Sequence, residues 1–251
     1  MVTKSDAEST ITEQATPLFQ PIVTGDARLT FEVLGRLKHN DVLILPSKFI
    51  PQLNSREMVA FDRAILSQSI RQVARWQQLD DLEVEVHVNA SADVLVQSSY
   101  VQFIEDLLRQ HRVLPKHLTI EVVETCDFWT SPEILETMLS LKYLGVKVAI
   151  DDFPCWSDLE SLIDWLENNS GRIDSIKLDQ SLVYQACADV AGTGKLRELL
   201  CYIEMAHRLG ISVVAEGVYS EQSVLTMQLC GADALQGYWL GKPQTASETF
   251  R

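Results

Sequence analysis

The sequence predicts an α/β domain in which helices cover a parallel sheet, closed into a barrel or left open. Three observations carry this. Short apolar, β-branched runs alternate with amphipathic segments of helical period from about residue 82 onward, as parallel strands and their outer helices do. The connections are short, and Gly145 and Gly210 each stand between a helix-like segment and a strand, where a left-handed C-cap is expected. Finally, 251 residues, 46% hydrophobic and 22% charged, suit one large domain or two small ones with a substantial core, and α/β barrels commonly reach this size as one.

From the N-terminus, residues 1–15 are polar and aperiodic. This is the composition of a flexible tail, and it leaves 16–251 as the folded domain. Pro17 to Val23 reads as a strand, Gly25 and Asp26 as turn residues, and Leu29 to Leu37 as its hairpin partner or an adjacent strand. After a loop holding Pro46 and Pro51, Met58, Phe61, Ile65, Ile70, Val73 and Trp76 mark a helix over 55–78. Strands are then expected over 82–88, 118–122, 146–153, 173–178, 211–215 and 234–238. Helices are expected over about 94–111, 132–144, 157–168, 195–209 and 221–229.

The strand VKVAIDDF ends in two adjacent carboxylates, Asp151 and Asp152. They repel one another, and burying either without a partner is expensive; a bound cation is the simplest reason to keep the pair. The neighbouring strands bring matching groups. Asn89, Glu121, Asp151, Lys177, Glu216 and Gln236 each stand at or near a strand's carboxyl end, with separations of 32, 30, 26, 39 and 20 residues, about one βα unit each. In a barrel those ends converge on one rim, where active sites form.

That rim offers oxygen ligands and a lysine. The five histidines, His39, His87, His111, His117 and His207, read as packed or exposed imidazoles, although His87 is two residues before Asn89. Hard oxygen donors favour Mg²⁺ or Mn²⁺ over zinc, and carboxylates gathered around such ions suit phosphoester hydrolysis. Arg36 is a candidate phosphate clamp.

A formal charge of −14 argues against a nucleic-acid surface or an anionic membrane face. An anionic substrate would need a metal or a placed arginine. The five cysteines show no CxxC spacing, so neither a disulfide framework nor a zinc knuckle is indicated. No secretory segment and no apolar run of the ~18 residues a membrane span needs is present. The expectation is a soluble, cytoplasmic protein.

The markers FQPIV (19–23), FEVLGR (31–36), VNAS (88–91), IEVVE (120–124), AIDDF (149–153), IKLD (176–179), VVAEGV (213–218) and LQGYWLGKP (235–243) stand in order from Leu18 to Pro243. On these the chain resembles the EAL phosphodiesterase domains that hydrolyse cyclic di-GMP. The resemblance implies a modified TIM-type (β/α)8 barrel, two Mg²⁺ or Mn²⁺ ions and linear pGpG as product. It implies metal ligands at Glu32, Asn89, Glu121, Asp151 and Asp152. Lys177 and Glu216 would flank the attacking water, Glu216 as general base. Gln20, Leu34, Arg36 and Gln236 would hold the dinucleotide, and Glu124 would anchor the loop after the aspartate pair.

Four departures stand out. The signature reads Glu32-Val33-Leu34, Val123 replaces a threonine, and Tyr219 replaces a glutamate. The loop after the aspartates is DDFPCWSDL, where the family has a glycine-rich DDFGTGYSSL. Pro154 fixes φ and lacks an N–H, and Trp156 is bulky, so this loop cannot follow a glycine-dependent path. If it fails to hold the second metal, the alternative is a cyclic di-GMP receptor or a regulator working through a protein partner. A homodimer through the segment bearing Leu159, Leu162, Ile163, Trp165 and Leu166 is also implied.

Overall fold

The computed structural model describes residues 4–25, 28–79, 82–123, 131–153, 159–189, 192 and 194–249. Among them, nine strands make one sheet. They are β1 Ala15–Thr24, β2 Leu29–His39, β3 Val42–Ile44, β4 Val84–Ala90, β5 Leu118–Val122, β6 Lys147–Phe153, β7 Ser175–Leu178, β8 Ser212–Ala215 and β9 Ala234–Gln236. Strands β2 and β4 to β9 pair in parallel, in sequence order. β1 runs antiparallel to both β2 and β9 and closes eight strands into a barrel, while β3 is appended to β2. The result is a single-domain TIM-like barrel with one reversed strand.

Period-2 alternation explains how one short strand can serve both a core and a site. In β4, Val84, Val86 and Val88 are buried in the layer shared with the helices, and Glu85, His87 and Asn89 face the barrel interior. The same division holds in β5, with Leu118, Ile120 and Val122 outside and Thr119 and Glu121 inside. A small separate cluster, Ile22, Val214 and Ala234, supplies apolar packing within the barrel. Elsewhere the interior is unusually polar for a fold whose lumen is commonly filled by branched apolar residues.

Local signals set the helix limits. Helix Pro132–Leu144 starts with Ser131 accepting from the Ile134 N–H at 3.4 Å and Pro132 in its first turn. It ends at Gly145, φ 90°, in the left-handed C-cap expected there. The long helix Ser55–Leu79 packs on β4 and β1.

Three expectations are corrected. The segment read as a tail is a helix, Lys4–Gln14, whose Ile11 is buried in the main core. The helix expected over 94–111 is two, Ala92–Leu95 and Tyr100–His111. An unforeseen helix, Gln180–Cys187, follows Asp179, whose carboxylate accepts from the Ser181 N–H at 2.9 Å. Among the described residues no helix is long and apolar enough to cross a membrane.

Candidate active site

Lys177, 1% exposed, stands at the centre of the mouth formed by the carboxyl ends of the parallel strands. Its Nζ lies 2.7 Å from Glu216 Oε1, 2.9 Å from Asp151 Oδ1, 3.0 Å from Glu121 Oε2 and 3.5 Å from Glu32 Oε2. Four carboxylates share one ammonium. Burial disfavours ionisation, so the surplus appears in the acids. Burial raises Asp151 well above the usual carboxylate range, with repulsion from Glu121, Glu216 and Glu32 adding to it and Lys177 opposing. Burial likewise pushes Glu216 up to about 7, against the pull of Lys177. Glu121, fully buried, goes the other way: Lys177 and His87 outweigh the burial cost and hold it below the usual range.

A regular strand cannot aim two consecutive side chains into the same site. Between Ile150 and Phe153, β6 carries one residue more than β7 does between Ile176 and Leu178. This is a bulge, and Asp152 sits in it at φ 49°, a left-handed conformation that Asp tolerates better than most residues. Asp151 and Asp152 thereby both offer oxygens to the mouth. Among the described residues two carboxylate groups arise, Glu32–Glu121–Asp151 and Asp151–Asp152–Glu216, each with oxygens within 4.8 Å of one another. Asp151 belongs to both. Its buried Oδ1 accepts no hydrogen bond, despite the close charge contact with Lys177, and Gln236 Oε1 nearby is equally unserved. Unsated, all-oxygen donors of this kind fit a hard divalent cation.

Asn89 Nδ2 donates to Glu32 Oε1 at 3.0 Å, and Gln236 Nε2 donates to Glu32 Oε2. Gln20 donates to the Gly241 carbonyl at 3.1 Å. Gln20, Glu32, Leu34, Lys177, Glu216 and Gln236 line a cleft of about 500 Å³ above Asp151, with Tyr219 and Tyr238 at its edge. Just after Glu216, Gly217 has φ 66°, and a Cβ there would stand 2.4 Å from Gln180 Cβ, so the turn leaving Glu216 requires glycine. Arg36 lies outside the cleft lining, two residues beyond Leu34 on the same strand face. Its Nη1 donates to the Gly35 carbonyl at 2.8 Å. A larger groove of about 730 Å³, beside Arg71, Arg75 and Trp76, is lined by no carboxylate.

His87 is a packed imidazole, one of the two readings the sequence allowed, and its partners are carboxylates. It is buried, with Nδ1 3.0 Å from Glu121 Oε1 and Nε2 3.6 Å from Glu85 Oε1. The strict alternation Glu85, His87, Asn89 on one strand face was the signal that could have found it. Two further residues went unnoticed in the sequence. Glu85 is held at the opposite mouth by Lys147, 2.7 Å away, and by Thr119 at 3.0 Å. Asp62 accepts from the Ser91 backbone N–H at 3.0 Å and its hydroxyl at 2.6 Å, pinning the turn after Asn89. Glu124 and the loop residues Pro154, Cys155 and Trp156 lie outside the described residues, as do the side chains of Leu159, Leu162 and Ile163.

The fold and this mouth define a class: barrels with an oxygen-rich acidic cluster at the carboxyl ends of their strands. Residues 6–243 match the EAL domain model, and the chain belongs to the EAL domain family. It is similar to the probable cyclic di-GMP phosphodiesterase PdeG of Escherichia coli, 30% identical over 241 residues, covering 91% of this chain and 44% of PdeG. It is also similar to PdeA of the same organism, another probable cyclic di-GMP phosphodiesterase, 26% identical over 231 residues, 91% of this chain and 30% of PdeA. The chain thus spans less than half the length of these relatives. Among solved structures, the PaMucR phosphodiesterase in complex with c-di-GMP matches with a TM-score of 0.82 and 25% identity, covering 97% of this chain and 98% of that one.

Proposed function

We propose that the chain hydrolyses cyclic di-GMP to linear pGpG. The observation that carries the reading is the pair of carboxylate groups sharing Asp151 at the floor of the cleft. Glu32, Asn89, Glu121, Asp151 and Asp152 would hold two Mg²⁺ or Mn²⁺ ions. When bound, such ions supply Lewis acidity, which acidifies a water and neutralises charge on the phosphate. Glu216 takes the proton of the attacking water. Lys177 orients the same water. Gln20, Leu34, Arg36 and Gln236 hold the dinucleotide. Water adds to one phosphate, one ester P–O bond breaks, and the departing ribose oxygen leaves as a hydroxyl.

The test is turnover of cyclic di-GMP with Mg²⁺ or Mn²⁺ by wild type and Glu32→Ala. A loss of at least ~100-fold is expected, in line with what a metal-activated water contributes. An unchanged rate removes Glu32 from the mechanism. One observation favours a second reading. The sequence DDFPCWSDL departs from the glycine-rich loop after the aspartates, which suits a domain that binds the dinucleotide without turning it over. Tight binding with no pGpG formed would select that receptor role.

A further inference from the structure

On the premise that Glu121 holds a divalent cation for this hydrolysis, we propose that His87 is a positioning residue that fixes the Glu121 carboxylate from below, itself backed by Glu85. Glu121 is 0% exposed and has two neighbours on its oxygens, Lys177 Nζ on Oε2 and His87 Nδ1 on Oε1, each at 3.0 Å. An ionised carboxylate only accepts, so Nδ1 donates. The imidazole is held from both sides. Its strand neighbours Val86 and Val88 are buried in the outer core, and its Nε2 edge faces Glu85, which Lys147 and Thr119 hold in place. The contacts run Lys147–Glu85–His87–Glu121–Lys177 along the barrel, from one mouth to the other. Partners that hold a ligating carboxylate commonly change metal affinity or activity by ~10- to 100-fold when removed.

Two substitutions separate positioning from packing. An asparagine side chain carries its amide nitrogen where the imidazole has Nδ1, and a glutamine side chain carries it where the imidazole has Nε2. Only His87→Asn therefore keeps the donor on Glu121. Packing alone ranks the two variants the other way, because glutamine better fills the imidazole's volume. Mn²⁺ affinity is measured by titration calorimetry on the folded protein, with cyclic di-GMP turnover alongside. His87→Asn is expected within ~3-fold of wild type, and His87→Gln to bind Mn²⁺ ~10- to 100-fold more weakly. Equal affinities, or a His87→Gln variant that binds more tightly than His87→Asn, overturn the proposal. If His87→Gln does not fold, His87→Asn decides: retained affinity supports positioning, and a loss of tenfold or more overturns it. Failure of the hydrolytic reading is a separate result, namely wild type that binds Mn²⁺ but releases no pGpG. Wild type that binds no Mn²⁺ overturns both.

Discussion

At the amino-terminal mouth of the barrel Glu85 is one carboxylate among Lys147, Arg28, His87 and Thr119; at the carboxyl-terminal mouth Lys177 is one ammonium among Glu32, Glu121, Asp151 and Glu216. The same strands build both ends, and Glu85 and Lys177 are each buried at theirs. Burial works against ionisation of Glu85, yet His87 and Lys147 outweigh it and hold the carboxyl down at about 2. At the other end the same burial wins for Asp151 and Glu216, because one lysine cannot offset four acids. A structural charge is one its partners already balance. An imbalance the fold has left in place is what a cation site would show; a cleft opens at each mouth, about 500 Å³ at the unbalanced end and about 410 Å³ beside Glu85, so the charge and not the cavity separates the two.

The largest effect is expected where the imbalance is concentrated. Asp151→Asn removes the carboxylate common to both groups, so cyclic di-GMP turnover with Mn²⁺ should fall by at least ~100-fold. Glu85→Gln, at the balanced mouth, should retain far more activity. Next is Lys177→Met, which leaves four buried carboxylates without their cation. Urea unfolding in the absence of metal should report a loss of ~3–5 kcal/mol, the usual consequence of breaking a buried ion pair from one side. Added Mn²⁺ should recover part of it.

Smaller effects sharpen the contrast through pH. Glu85→Gln should cost ~1–3 kcal/mol at pH 7 by leaving Lys147 and His87 poorly served. The Glu85 carboxyl is depressed from its unfolded value, so its stabilisation is full above about pH 4.5 and is lost as pH falls through about 2. The gap between wild type and variant should close over that window in acid unfolding. Asp62 has the opposite sign. Burial, against two hydrogen bonds from Ser91, raises its carboxyl to about 7. Its contribution is therefore full below about pH 4 and is lost as pH rises through about 7. Asp62→Asn should gain stability relative to wild type as pH rises from about 4 to about 7, and no further above that, by chemical denaturation.

Much of this was legible in the residues. The alternating runs located the parallel strands, and the polar strand ends Asn89, Glu121, Asp151, Lys177, Glu216 and Gln236 fall at one mouth because successive βα units repeat the same direction. Strand pattern could not reveal that Asp152 joins Asp151, since alternation assigns it to the opposite face; the bulge and its positive φ are properties of the pairing with β7. The helix Lys4–Gln14 was illegible for another reason. Its sequence is polar, and among its described side chains Ile11 is the one buried in the core. The carboxylate partners of His87 were not legible one residue at a time; the face it shares with Glu85 and Asn89 was the informative unit.

The most direct test of an unbalanced mouth is to ask how many cations it takes up. In crystals soaked with Mn²⁺, anomalous scattering should give two peaks at the carboxyl-terminal mouth with Asp151 touching both, and none beside Glu85. Manganese absent from that mouth, or bound instead among Glu85 and Lys147, would contradict the account.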